Sequence, residues 1–126
     1  MKKTKRNFVS KEKIKYLGIH LIIEFWKGKI IEDPKKIEKI LITAVKKSKN
    51  TLLKIFIHKF QPQGISGVAL LAESHIFFHS WPEKNYLAID IFTCGEKSMP
   101  YESLNYLKKQ FQPKKIKVKE IKKGVL

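Results

Sequence analysis

Cysteine occurs once, as Cys94, so the 126-residue chain cannot hold an internal disulfide. Arginine is as scarce, with Arg6 alone among 27 basic residues. Arginine is the usual reader of base edges, so the formal charge of +16 points only weakly to nucleic acid. No helix-turn-helix and no sheet with interleaved aromatic and basic residues supports that class either. No apolar run reaches the roughly 18 residues of a membrane-spanning helix. The basic start, Met1 to Asn7, is not followed by a signal-peptide apolar stretch. With one cysteine and no such stretch, a reducing cytoplasm is the expected location. Three catalytic signatures are also missing. Gly64-Ile65-Ser66-Gly67-Val68 has the wrong spacing for a serine-hydrolase elbow. There is no Cys-x-x-Cys and no His-Glu-x-x-His, so His75, His79 and Cys94 make a poor zinc set and no metal is expected.

Hydrophobic residues make up 43% of the chain, enough for one folded domain over residues 1–126 with a modest core. The charge is uneven. Residues 61–110 hold four lysines and five acids, while the flanks carry the positive excess. Residues 1–13 read as a loose basic arm, and most of the lysines as solvated surface.

Tyr16 to Trp26 is rich in β-branched and aromatic residues and reads as a strand, with His20, Ile22 and Glu24 on one face. Asp33-Pro34 opens a helix as N-cap and first position. Its inward side is Ile37, Ile40, Leu41, Ala44 and Val45. Strands are expected at Thr51–Phe60, at Ile65–Ala72, which Ile76–Ser80 continues or follows, and at Tyr86–Thr93. A second helix after Pro100 would turn Leu104, Leu107 and Phe111 inward, and Lys114–Ile121 would be an edge strand defended by lysines. The expected order is β-α-β-β-β-α-β, an α+β two-layer sandwich with two helices on one face of a mostly antiparallel sheet. The bare face would then be polar or covered, most simply by a second copy.

The chemistry is concentrated. Glu73, Ser74, His75, His79, Glu83 and Cys94 fall within one short stretch of apolar strands, where polar groups are costly unless satisfied or used. Taken alone, Ser74 reads as a tolerated small residue, Cys94 as a small hydrophobe, Glu83 as a surface acid after a turn, and His20 and His58 as structural. Glu24 is a weak candidate.

Glu73-Ser74-His75, His79-Ser80-Trp81-Pro82-Glu83 and Thr93-Cys94-Gly95-Glu96 together resemble the short-form prokaryotic (class 1B) S-adenosylmethionine decarboxylase proenzymes. The likeness runs from about Leu17 to Val118, with Ser80 a mild departure at a position that the family shares with threonine. It implies that Ser74 Oγ attacks the Glu73 carbonyl. The resulting ester then eliminates to a β chain of residues 1–73 and an α chain of residues 74–126, which residue 74 caps as a pyruvoyl group. Ser66 and His79 would serve this processing, His79 as the base that takes the α-proton. In turnover the pyruvoyl ketone would form a Schiff base with the substrate amine and act as electron sink without a bound cofactor. Cys94 would donate the proton that ends the cycle, and Glu83 would hold the ribose hydroxyls. The family builds this site across a dimer and supplies aminopropyl groups for spermidine synthesis. Relatives that decarboxylate arginine or ornithine are the nearest alternative, and a basic nucleic-acid-binding module is the alternative from another class.

Overall fold

A computed structural model describes residues 9–11, 14–72 and 74–126. Its elements in chain order are β1 (Val9–Lys11), β2 (Ile14–Tyr16), β3 (Gly18–Trp26), α1 (Pro34–Lys47), β4 (Leu52–Lys59), β5 (Ile65–Leu71), β6 (His75–Trp81), β7 (Tyr86–Cys94), α2 (Pro100–Phe111) and β8 (Lys115–Lys123). Six strands form one sheet in the order β4-β5-β6-β7-β3-β8, and every neighbouring pair is antiparallel. The α+β sandwich read from the sequence is therefore the observed fold.

Two details differ. Four strands separate the helices, not three, because β6 is a strand in its own right, antiparallel to β5. Part of the basic arm is also structured: Val9–Lys11 pairs with Ile14–Tyr16 as a small hairpin. Residues 1–8 and 12–13 of that arm lie outside the described residues.

Local chemistry explains both helices. The Asp33 side chain accepts a hydrogen bond from the Lys35 backbone N–H at 3.0 Å, and Pro34 fits the first turn, where its missing N–H is not needed. Lys46 and Lys47 sit in the last turn of α1, against the negative end of the helix dipole. In α2, Pro100 again occupies the first turn, and Gln112 ends the helix in a left-handed conformation ahead of Pro113. The helices touch through Ser103, whose hydroxyl donates to the Ala44 carbonyl.

Leu21, Ile23 and Phe25 of β3, Ile76 and Phe78 of β6 and Ile89 and Ile91 of β7 pack with the apolar sides of α1 and α2 into one core. Each such side chain, when fully buried, contributes about 1.5–3 kcal/mol. Side chains alternate along a strand, so His20, Ser66, His75, Phe77, His79 and Asp90 all fall on the sheet face opposite the helices. Hydrophobic groups stand exposed on that face, from Ile22 at 36% to Phe56 at 67%.

Candidate active site

β5 and β6 form a hairpin whose register sets Ser66 directly across from His79. Ser66 Oγ lies 2.7 Å from His79 Nδ1. In the tautomer with its proton on Nε2, the ring accepts this bond from the hydroxyl, leaving Nε2 directed elsewhere. The Phe77 ring stacks nearly parallel to His79 at 6.2 Å, and Trp81 lies tilted at 6.1 Å. Ser66, His79, Phe77, Phe56 and His58 line a shallow cavity of about 90 Å³. Ser80 points the other way; its hydroxyl accepts the Ile65 N–H at 2.9 Å and helps hold the hairpin together. Glu83 sits in the short 3-10 turn Pro82–Lys84 that follows β6, exposed, and accepts a 3.3 Å hydrogen bond from the Gln63 side chain.

Ser74 stands at the opposite end of β6. The Ser74 carbonyl accepts the Leu71 N–H at 2.9 Å. Ser74 is only 7% exposed, yet among the described residues its hydroxyl has no hydrogen-bond partner. Buried hydroxyls are nearly always paired, so an unpaired one marks a functional candidate. Glu73 lies outside the described residues. Cys94 ends β7 across from Gly18 of β3. A Cβ on Gly18 would meet the Thr93 carbonyl at 2.4 Å and Cys94 Sγ at 3.0 Å, so glycine lets the two strands close at the thiol. Gly95 then turns the chain with φ +92°, and the Ser98 hydroxyl donates to the Cys94 carbonyl.

One chain therefore carries two groups of site residues at the two ends of β6. Ser74 and Cys94 are at one end; Ser66, His79 and Glu83 are toward the other. His75 and His79 alone are separated by four strand residues, about 13 Å at roughly 3.3 Å per residue. Within a single chain His79 is not brought to Ser74.

Between the two groups lie residues that the sequence left as background. His20 Nε2 is 3.3 Å from Asp90 Oδ1, and the His75 ring meets His20 edge-on at 6.3 Å. Burial lowers the His75 pKa from its ordinary 6.5; His20 and Lys123 add to this, and Asp90 opposes it. The Tyr86 hydroxyl donates to Glu24 at 2.6 Å, and burial together with this bond pushes the phenol up to about 12. Glu24 thus serves Tyr86. Thr93, at 2% exposure, is the other buried hydroxyl without a partner among the described residues. Its place beside Cys94 was the only sequence signal for it.

Comparison with known proteins identifies the family. A family model described as S-adenosylmethionine decarboxylase matches residues 19–124. A protein of Methanococcus maripaludis (strain C5) named S-adenosylmethionine decarboxylase proenzyme is 45% identical over 115 residues, covering 90% of this chain and 94% of that one. A protein of the same name from Pelotomaculum thermopropionicum is 38% identical over 115 residues, covering 90% and 91%. The crystal structure of the adenosylmethionine decarboxylase from Aquifex aeolicus superposes with a TM-score of 0.82 at 33% identity, covering 88% of this chain and 93% of that one. Neither the arginine or ornithine alternative nor the nucleic-acid alternative gains support from these matches. No described helix is long and apolar enough to cross a membrane. Fold, motif order and relatives agree, and the chain belongs to the S-adenosylmethionine decarboxylase family.

Proposed function

We propose that this chain is a self-processing proenzyme that becomes a pyruvoyl-dependent S-adenosylmethionine decarboxylase, acting in the cytoplasm to feed spermidine synthesis. The observation that carries this is the Ser74 hydroxyl, buried and without a hydrogen-bond partner among the described residues. A hydroxyl engaged in a hydrogen bond to the fold would have to give it up to react. This one is held out of water and uncommitted, as the precursor of a pyruvoyl group requires. Ser74 Oγ attacks the carbonyl of Glu73, and the amide nitrogen leaves with a proton, giving an ester. His79 then takes the α-proton of residue 74 and the Glu73 carboxylate departs. The products are a β chain of residues 1–73 and an α chain of residues 74–126.

The 2.7 Å bond to Ser66 orients the His79 ring for this transfer. A base that waits about 16 Å along the strand from its proton, five residues at roughly 3.3 Å each, cannot act within its own chain. Two copies packed through their bare sheet faces would bring Ser66, His79 and Glu83 of one to Ser74 and Cys94 of the other. The exposed Ile22, Phe56, Leu70, Phe77 and Trp81 supply the apolar surface for such a contact.

Once formed, the pyruvoyl ketone supplies the electron sink for loss of carbon dioxide. Cys94 delivers the proton to the substrate α-carbon, a role open to a thiol as general acid. The Glu83 carboxylate accepts hydrogen bonds from the ribose hydroxyls. Phe56, Phe77 and Trp81 offer aromatic faces to the adenine, and the central residues carry no positive excess to repel a sulfonium.

Denaturing electrophoresis and intact mass test the first stage, with two fragments expected and a blocked N-terminus on the smaller one. Release of carbon dioxide from S-adenosylmethionine, and not from arginine or ornithine, tests the second. A chain that stays whole through prolonged incubation would refute self-processing.

A further inference from the structure

Two buried hydroxyls at the same end of the sheet have no partner among the described residues, and only one of them, Ser74, has a role in the processing chemistry. The other belongs to Thr93. The β6–β7 register pairs His75 with Phe92, so residue 74 comes beside Thr93 one step beyond the last pair. On its other flank Thr93 pairs with Ile19 of β3. Thr93 therefore stands between Ser74 and whatever lies on the β3 side.

What lies there is a cavity of about 200 Å³. Thr93 forms part of its wall, with Tyr16, Ile19, Glu96, Ser98 and Pro100. Water occupies about 30 Å³ per molecule in the liquid and needs polar partners to stay. Such a space holds several waters, and the lining offers hydroxyls and a carboxylate to bind them. Glu96 is exposed, so the cavity opens to solvent at that rim.

Resting on the self-processing read above, we infer that this cavity is the water port for its last step and that Thr93 presents the water. After elimination residue 74 is a dehydroalanyl terminus, an enamine whose free amino group sits on the carbon that also bears a methylene double bond. Its tautomer is an imine bearing a methyl group. Water adds to the imine carbon, forming a carbon–oxygen bond while the carbon–nitrogen π pair moves to nitrogen and is protonated. The remaining carbon–nitrogen bond then breaks, ammonia leaves, and the ketone remains. One water is consumed and one ammonia released, with no oxidant or reductant. On the bare face the second copy closes the site to bulk water, so water reaches residue 74 from the helix-covered side, where Thr93 and the cavity stand.

Thr93→Val keeps the side-chain shape and removes a hydroxyl that makes no hydrogen bond among the described residues, so the variant is expected to fold. The full-length proenzyme is allowed to mature and quenched with borohydride at intervals. Reduction turns the imine into an N-terminal alanine and the ketone into a lactyl group, which mass spectrometry of the α fragment separates. Thr93→Val should cleave at the parent rate while its α fragment passes through the alanyl form for roughly tenfold longer or more. Thr93→Ser should restore the parent course. A lactyl signal in Thr93→Val on the parent time course would overturn the assignment, as would a block of cleavage itself, which would move the hydroxyl to an earlier step. Should Thr93→Val not fold, Ile19→Phe fills the cavity with both hydroxyls retained. It should prolong the alanyl form, and an unchanged lifetime overturns the port. A parent chain that never cleaves would instead defeat the processing chemistry, and this step with it.

Discussion

The two ends of β6 treat their hydroxyls in opposite ways. At one end Ser66 is committed to His79 by a 2.7 Å bond across the hairpin. At the other, the Ser74 and Thr93 hydroxyls are buried and have no hydrogen-bond partner among the described residues. The first arrangement fixes a ring in place and suits a proton acceptor. The second leaves an oxygen uncommitted and suits a nucleophile. Folding alone does not explain the second, because an unpaired buried hydroxyl costs about 1–3 kcal/mol.

Removing the nucleophile should have the largest effect. Ser74→Ala is expected to abolish both cleavage and decarboxylation, leaving one full-length band on a denaturing gel, and to leave thermal stability equal or slightly raised because an unsatisfied hydroxyl is gone. Fragments from that variant would show that another residue supplies the attacking oxygen. His79→Ala should slow processing by about 10²–10⁴-fold and accumulate the ester, which hydroxylamine would then cut. An amide that hydroxylamine leaves intact would place His79 before ester formation. Cys94→Ala separates the stages in the other direction. It should cleave at the parent rate, decarboxylate about 10²-fold more slowly, and lose activity during turnover as protons reach the wrong carbon; assays of carbon dioxide release on matured enzyme check this.

The smallest effect lies between the two ends. Burial first, then the charges of His20 and Lys123, hold the His75 pKa below its ordinary 6.5 against the pull of Asp90. The unfolded chain therefore takes up this proton more readily than the folded one. The corresponding stability is fully present above 6.5 and is lost as the pH falls through the lower folded value. His75→Gln should flatten that part of the pH–stability curve, measured as unfolding midpoints from neutral to mildly acidic buffer. An unchanged curve would assign the dependence to other groups.

Ser74, His79, Glu83 and Cys94 stood out in the sequence through the resemblance of their motifs to the S-adenosylmethionine decarboxylase proenzymes, whereas Ser74, Cys94 and Glu83 taken alone read as ordinary residues. What could not be read was which of them meet. The Ser66–His79 bond follows from a hairpin centred near residues 72–73, and it is lost if β6 is taken to continue β5. The His20–Asp90 contact joins residues 70 apart and needs the β3–β7 register, for which no local pattern exists. The β1–β2 hairpin was hidden for a different reason: lysine dominates that stretch, and no apolar alternation signals a strand. Helix limits were easier, because Asp33-Pro34 and Gln112-Pro113 are local stereochemical signals.

Mixing two inactive proenzymes tests most directly whether the two ends work together across copies. Ser74→Ala retains Ser66 and His79, and His79→Ala retains Ser74 and Cys94. Unfolded together and refolded, the pair should yield fragments of the His79→Ala chain alone, at a rate near the parent's, while each variant refolded by itself stays whole or nearly so. No cleavage in the mixture, under conditions where the parent chain cuts itself fully, would contradict a site shared between two copies.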